Sequence, residues 1–518
     1  MSTETAGAQR TYGGWQREKV AFLFGFSAPQ TVMLCGAVLA AIIPVAMTDM
    51  RAAVLLWPAA AVLAAAALVR IAGRTGDEWT AGVASYLAIR ARGQHRFAGG
   101  PFALALAHAA SRGATGDAPR LDLPGILAPL RVLSVPAGRR DLAVVESRHD
   151  RTWTAVARVR FPGIGLSDSA RRDQRVAGWG VLLASLCNEG GPLIRVQALQ
   201  RLVPESGAAL RSWHAAHLAP GAPDLARGVA GELLATATLT TTRREAFLAF
   251  TMDARRARAQ VRAAGGGDLG AAAVLVRHLR SLHQAMGNAD LEVEDWLGTR
   301  DLAEVIRTAY DPHSQPVLAA RRAAAAQAAT RGRPAEAPVP GVSLDLAAPV
   351  YAEARPGTYL HDGAVSASYW VHSWPSQAYS TALGPLLGDG SHRRSFGIVY
   401  EPLSPRTAER AVMRERTARH VAIRMRQRTG QIVPEHERAA MERALSQDAE
   451  RAAGHGLVRF TGYATVTAAV DTIEDACAAL EADAATARIE VRRMWFAQDA
   501  GFALGALPLG LGLPKRRW

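Results

Sequence analysis

No charged residue occurs between Val20 and Thr48, and after Asp49-Met50-Arg51 the sequence is again uncharged from Ala52 to Val69. A bilayer core takes roughly 20 apolar residues to cross as a helix, with about 17 as the lower edge. Inside hydrocarbon the backbone must pair within its own segment, so each run is restricted to helix. The gap between the runs leaves room only for a tight turn. Together they predict a transmembrane helical hairpin over residues 27–70. Arg10, Arg17 and Lys19 precede it, and Arg70, Arg74, Arg90, Arg92 and Arg96 follow. That excess of positive charge on both flanks predicts an inner (plasma) membrane location, multi-pass, with N- and C-termini in the cytoplasm. Phe24, Phe26, Gln30, Trp57, Arg70 and Trp79 are the expected membrane-anchoring residues, since aromatic and basic side chains settle at the lipid–water interface. Two other readings compete: a cleaved signal peptide, whose apolar core would be shorter and single, and a buried core hairpin.

The 518 residues leave room for two or three further domains. A hydrophobic fraction of 49% and a mean hydropathy of +0.02 describe a chain that is not polytopic. Three cysteines, at positions 35, 187 and 477, are too few and too scattered for a disulfide framework or a thiolate zinc site. The net charge is +14, carried mostly by arginine. Such a balance suits an anionic lipid surface or nucleic acid, and charge alone does not choose.

Beyond the hairpin the expected fold class is α+β, with antiparallel strands and a charged helical hairpin. Residues 1–26 form an N-terminal segment and 71–120 an amphipathic helix and linker. An α+β domain covers 121–316. Its strand-like runs are Ile126–Val135, Leu142–Ser147, Trp153–Phe161 and Leu193–Leu199, with a helix over Ser167–Cys187 before the last of them. Helices follow at 205–218 and 222–236, a strand at Arg243–Met252, and helices at 268–287 and Thr299–Ala309. Residues 317–340, rich in Ala, Arg and Pro, read as a linker. A second α+β region covers 341–518. It opens with a strand pair around the Asp362-Gly363 turn. The charged stretch 405–453 reads as two helices broken between Thr429 and Pro434.

Signatures of catalysis are hard to find. No G-x-x-x-x-G-K-[ST] loop cradles a phosphate, and no G-x-S-x-G elbow is present. His214 and His217 stand three apart on a helix with no third ligand in view. Glu292, Glu294 and Asp295 are acids ahead of a helix, a pattern that usually caps the helix dipole. The basic run from Arg406 to Arg428 lacks the interleaved aromatics that stack bases. The expectation is a protein that is not an enzyme and holds no cofactor and no metal.

Two resemblances run through these residues. Phe24-Gly25-Phe26-Ser27-Ala28-Pro29-Gln30, leading straight into the apolar runs, resembles the F-G-L-T-x-R-Q opening of PrgI-type inner-membrane subunits of type IV secretion and conjugation machines. The remainder resembles the non-motor N-terminal half of the conjugation ATPase of those machines. The carriers are the strand pair near 142–161, Trp296-Leu297 with the helix to Asp311-Pro312, Ser373-Trp374-Pro375, and Gln498 through Ala506-Leu507-Pro508-Leu509-Gly510. Hairpin plus motorless half resembles an actinobacterial integral membrane family of conjugation-like secretion. The resemblance implies an inner-membrane scaffold subunit that docks a separately encoded motor ATPase. Its partners would be that ATPase, other secretion-channel subunits and membrane lipid, in a homo-oligomer or hetero-oligomeric complex, with nucleic acid only as transported cargo. Trp374, Pro375, Pro508, Arg414 and Arg419 are the candidate partner-docking residues. A type VII secretion membrane component and a membrane-tethered enzyme are the alternatives.

Overall fold

The computed structural model describes residues 28–47, 50–71, 74–99, 121–137, 140–160, 168–204, 208–237, 242–332, 338–375, 382–388, 390, 392–428, 435–452 and 455–512. Contact density divides the chain into two units.

The smaller unit takes in residues 15–95 together with Trp495–Ala497. Its apolar runs form helices α1 (Ala28–Ala46) and α2 (Met50–Leu68), which pack side by side in opposite directions. The amide of Gln30 donates to Ala67 O at 3.2 Å, and the Trp57 indole donates to Ala41 O at 3.3 Å. Strands β1 (Arg70–Ile71) and β2 (Arg74–Thr75) form a minimal ladder before helix α3 (Gly76–Ala91). Trp79 and Tyr86 of α3 pack on Phe496.

The helical hairpin stands where the sequence puts it, but its membrane-spanning role is corrected. Among the described residues no helix is long and apolar enough to cross a membrane. Each helix has 19 residues, near the lower end of the range for a span, and neither is apolar throughout. Within α1 the apolar run starts only at Val32, after Gln30 and Thr31. Arg51 sits in the first turn of α2, and Pro44 and Pro58 lie inside the two helices. The expected transmembrane hairpin therefore does not hold, and neither does the two-span inner-membrane location with cytoplasmic termini drawn from it.

The larger unit is built on a sheet of 13 strands. The alternation of β-branched and aromatic residues with small ones lets both faces be buried. Its strands are β3 (Arg96–Ala98), β4 (Leu130–Ala137), β5 (Arg140–Ser147), β6 (Thr152–Arg160), β7 (Leu193–Pro204), β8 (Thr242–Asp253), β9 (Glu292–Trp296), β10 (Tyr351–Ala354), β11 (Tyr359–His361), β12 (Ala364–Ser373), β13 (Arg393–Pro402), β14 (Val458–Ala468) and β15 (Glu490–Arg493). The helices are α4 (Ser169–Ser185), α5 (Ala208–His217), α6 (Asp224–Ala237), α7 (Arg258–Ala263), α8 (Gly267–Asn288), α9 (Thr299–Tyr310), α10 (Gln315–Thr330), α11 (Gly384–Leu387), α12 (Pro405–Arg428), α13 (Glu435–Ala452), α14 (Ile473–Thr486) and α15 (Gln498–Gly505). Residues 317–340, expected as a linker, include most of α10, and strands from before and after that stretch share one sheet. Glu292 to Asp295 precede helix α9 as expected, but they lie in strand β9, which pairs with β6, and the helix is capped by Gly298.

Strand order runs β3-β10-β11-β12-β14-β13-β7-β8-β6-β5-β4, with β15 added on β12 and β9 on β6. Leaving aside the edge strand β3, the sequence of roles is the same from either end. Strands β4, β5, β6, β8, β7 and β9 repeat as β10, β11, β12, β14, β13 and β15. Cross-strand hydroxyl pairs fix the register of this duplication: Thr154 with Thr251 at 2.9 Å in one half, Ser366 with Thr467 at 2.8 Å in the other. Aligning those pairs sets Val156 on Ser368, and their carbonyls accept from equivalent amides, Leu297 and Met494. It also sets Leu199 on Gly397, and these two residues face each other where β7 pairs with β13. The two repeats are therefore related by a pseudo-twofold axis through the Leu199–Gly397 pair. A Cβ at Gly397 would lie 3.3 Å from Leu199 Cδ1 and 3.4 Å from Leu504 O, so the axis is tightly packed.

One face of the sheet carries α4 and α8 over the first repeat and α14 over the second, with Phe250, Leu275, Val466 and Leu480 in their cores. On the other face α9 and α15 share one core with Leu199, Phe247, Tyr310 and Phe502.

Candidate arginine cleft and the predicted docking residues

Strands and helices of the first repeat meet at a small polar cleft open to solvent. Strand β6 contributes Arg158, β7 Arg201, and β8 Arg243 and Glu245. Helix α9 adds Glu304, Val305 and Thr308, and α10 adds Gln315, Ala319 and Arg322. Register explains the centre, because Arg201 is directly opposite Glu245 and Arg158 directly opposite Phe247. Arg201 donates to Glu245 Oε2 at 2.6 Å and to Val305 O at 2.9 Å. The guanidinium carbons of Arg201 and Arg158 lie 5.2 and 5.8 Å from the centre of the Phe247 ring, within the range of cation–π attraction. Arg322 pairs with Glu304 at 3.0 Å.

The electrostatics are those of a crowded cationic site. Burial alone would raise Glu245, but Arg201, with Arg243 and Arg158 beside it, holds it down to about 2. Burial, reinforced by Arg322, lowers Arg158. Arg393, at the start of β13, is pushed down to about 9 by burial and then by Arg201. Burial raises Glu304 against the pull of Arg322. The Nε atoms of Arg158 and Arg201 are buried without a hydrogen-bond partner.

A second polar cluster is sealed inside the fold. His361 is fully buried. Its Nδ1 meets Tyr310 O, and its Nε2 is 2.8 Å from Ser366 Oγ. Only a donor satisfies a carbonyl, so Nδ1 carries the proton and Nε2 accepts from the serine hydroxyl. With both partners buried around it, this serine–histidine pair is a structural link between α9 and the second repeat. Burial holds His361 down to about 4. In the unfolded chain the imidazole titrates near 6.5, so on acidification the unfolded state takes up the proton first. The neutral ring therefore contributes its full stability above about pH 6.5 and loses it between 6.5 and 4. The expected loss is about 3 kcal/mol at 1.36 kcal/mol per unit. Urea unfolding across that window should show the slope in the native chain and a flatter one in His361→Asn; equal slopes would refute it.

The predicted anchoring and docking residues are scattered. Phe24 and Phe26 lie outside the described residues. Gln30 is buried and closes the α1–α2 pair, Trp57 is bonded across it, and Arg70 lies in the short β1–β2 ladder. Trp79 packs edge-on against Phe496. Trp374, half-buried just after β12, packs edge-on against Phe460 and Phe396, with Pro375 beside it. Pro508 is buried in the core, so it offers no docking surface. Its segment, Ala506–Gly510, lies on the sheet, with Gln197 donating to Leu507 O at 2.9 Å. Arg414 is exposed on α12, and Arg419 is held by Glu415 one turn back at 2.8 Å. His217 turns to its own helix, with its Nδ1 2.8 Å from Trp213 O. Among the described residues no group of three His, Cys, Asp or Glu is placed to hold a metal. The arginine cleft has no counterpart in sequence-based expectation, because its residues are spread from β6 to α10 with no common motif.

No protein-family model matches the chain, and no curated protein matches it.

Proposed function

We propose that the chain is a non-enzymatic docking scaffold of a conjugation-like secretion machine, and that it holds a separately encoded motor ATPase. The short motifs of the sequence support the setting, and one observation carries the docking role. Helix α6 rises between β7 and β8 with Leu225, Val229 and Leu233 at four-residue spacing, and these are 82, 50 and 64% exposed. A 14-residue helix is marginal alone in water and gains stability by burying its apolar stripe. Trp213 on the neighbouring α5 is also exposed, and extends the apolar surface available in this insertion. The second repeat carries its own insertion at the equivalent junction, the charged pair α12–α13, between β13 and β14. A rigid double sheet presenting one apolar and one cationic helical arm suits a holder of a larger protein.

The test is co-purification of the chain with the separately encoded motor ATPase proposed as its partner. Leu225→Asp, Val229→Asp and Leu233→Asp together replace exposed side chains, so the sheet should fold unchanged while ATPase recovery drops at least ten-fold. Full recovery with the triple variant, or ATP hydrolysis by the purified chain alone, would overturn the proposal.

A further inference from the structure

The duplication supplies an internal control for the arginine cleft. Under the alignment that superposes Leu199 on Gly397, Arg158 corresponds to Trp370, Arg201 to Val399 and Glu245 to Thr461. Only Arg243 has a like counterpart, Arg459. The second repeat pairs the same strands in the same register without this ionic cluster. Burying charge is costly unless it is compensated, so the fold does not need the arginines where they are.

We propose that the cleft is an oxyanion site that takes a phosphate-class dianion, either free phosphate or a phosphate monoester. Four guanidiniums line it against two carboxylates. Asp301, 3.5 Å from Arg322, and Arg393, bonded to Gln315 and Thr308 O, adjoin it, so that five arginines face three acids with a surplus of two positive charges. Both carboxylates are already engaged, Glu245 by Arg201 at 2.6 Å and Glu304 by Arg322 at 3.0 Å. The orphaned Nε donors belong to Arg158 and Arg201, and Arg201 is only 4% exposed. A buried donor without a partner costs free energy until an acceptor arrives. The planar guanidinium fork matches phosphate oxygens two at a time, and a doubly charged ligand neutralises the surplus where a carboxylate would leave half of it. The cleft is open for entry at Arg243 and Arg322, whose side chains are 46 and 29% exposed.

Titration calorimetry on the full chain with inorganic phosphate, in chloride of matched ionic strength, tests the site. Saturable binding is expected with the native chain. Arg243→Gln, at a half-exposed position, should fold normally and bind about ten-fold more weakly. Arg158→Trp imports the residue that the other repeat carries and should abolish binding. Methyl phosphate in place of phosphate separates the sources: tighter binding marks a monoester, weaker binding the free ion. No saturable heat with phosphate, acetate binding as well as phosphate, or unaltered binding by a folded Arg243→Gln chain would each overturn the proposal.

Discussion

Replacing Arg201 by valine is expected to destabilise the chain by about 3–5 kcal/mol, the cost of leaving a buried charge without its partner. Glu245 is the group left behind. Its carboxylate is 2.6 Å from Arg201, with Arg243 only at 4.0 Å. Val305 O would also lose the Arg201 donor and keep only the Thr308 hydroxyl at 3.2 Å as a side-chain donor. The second repeat shows a way out, because Val399 and Thr461 stand where Arg201 and Glu245 stand. Adding Glu245→Thr should therefore recover most of the loss. Urea unfolding of the two single variants and the double gives the coupling between the positions. A coupling of about 2 kcal/mol or more is expected. Additive losses would mean that the pair does not act as one unit.

The same pair governs part of the acid response. Glu245 sits at about 2 in the folded chain, below an ordinary glutamate near 4.3. A lowered carboxylate contributes stability above its unfolded value and loses it as pH falls through the folded one. Its window, roughly pH 4.3 down to 2, follows that of His361, which closes near 4. The two groups should make acid unfolding begin below pH 6.5 and steepen below about 4.3.

Much of the strand pattern is legible in the sequence because burial on both faces leaves short apolar runs between turn residues. The hairpin at Asp362-Gly363 is an example, since both turn residues take positive φ, 35° and 80°, and Asp-Gly is the dipeptide that tolerates this. The apolar hairpin misleads for a different reason. Absence of charge is not the same as apolar length, and Gln30 and Thr31 shorten the apolar run of α1. Helix α10 is hidden by composition: its Ala and Arg residues bury little beyond Leu318, so no apolar stripe announces it. The duplication is invisible because equivalent positions keep alternation and hydroxyl pairing rather than residue identity. Arg158 against Trp370 or Arg201 against Val399 leaves no repeat for the eye to find. The cleft is illegible for a related reason. Its charged residues come together only because β6, β7 and β8 are neighbours and α9 crosses them, and neighbour relations of that kind are set by topology, not by spacing along the chain.

Gly510→Ala is expected to be as damaging as the loss of Arg201, by about 4 kcal/mol, because three costs coincide. The residue has φ of +62°, a conformation that costs an L side chain roughly 1–2 kcal/mol. A Cβ there would lie 2.2 Å from Thr251 Oγ1 and 2.7 Å from Thr154 Cγ2, and overpacking of that kind costs about 1–3 kcal/mol. Gly510 also fastens the chain to the sheet: its amide donates to Gln197 Oε1 at 2.8 Å, and its carbonyl accepts from Thr251 at 3.0 Å and Arg195 at 2.9 Å. Displacing it would loosen Ala506, Leu507 and Leu509, all buried in the shared core, and break the hydroxyl pair that holds β6 to β8. Gly332 separates these contributions, since it has φ of +70° and a Cβ there would meet nothing within 4 Å. Gly332→Ala should therefore show only the backbone cost, and the excess in Gly510→Ala measured by urea unfolding reports the packing of the terminal segment on the first repeat. Equal losses from the two substitutions would mean that this segment does not bear on the sheet.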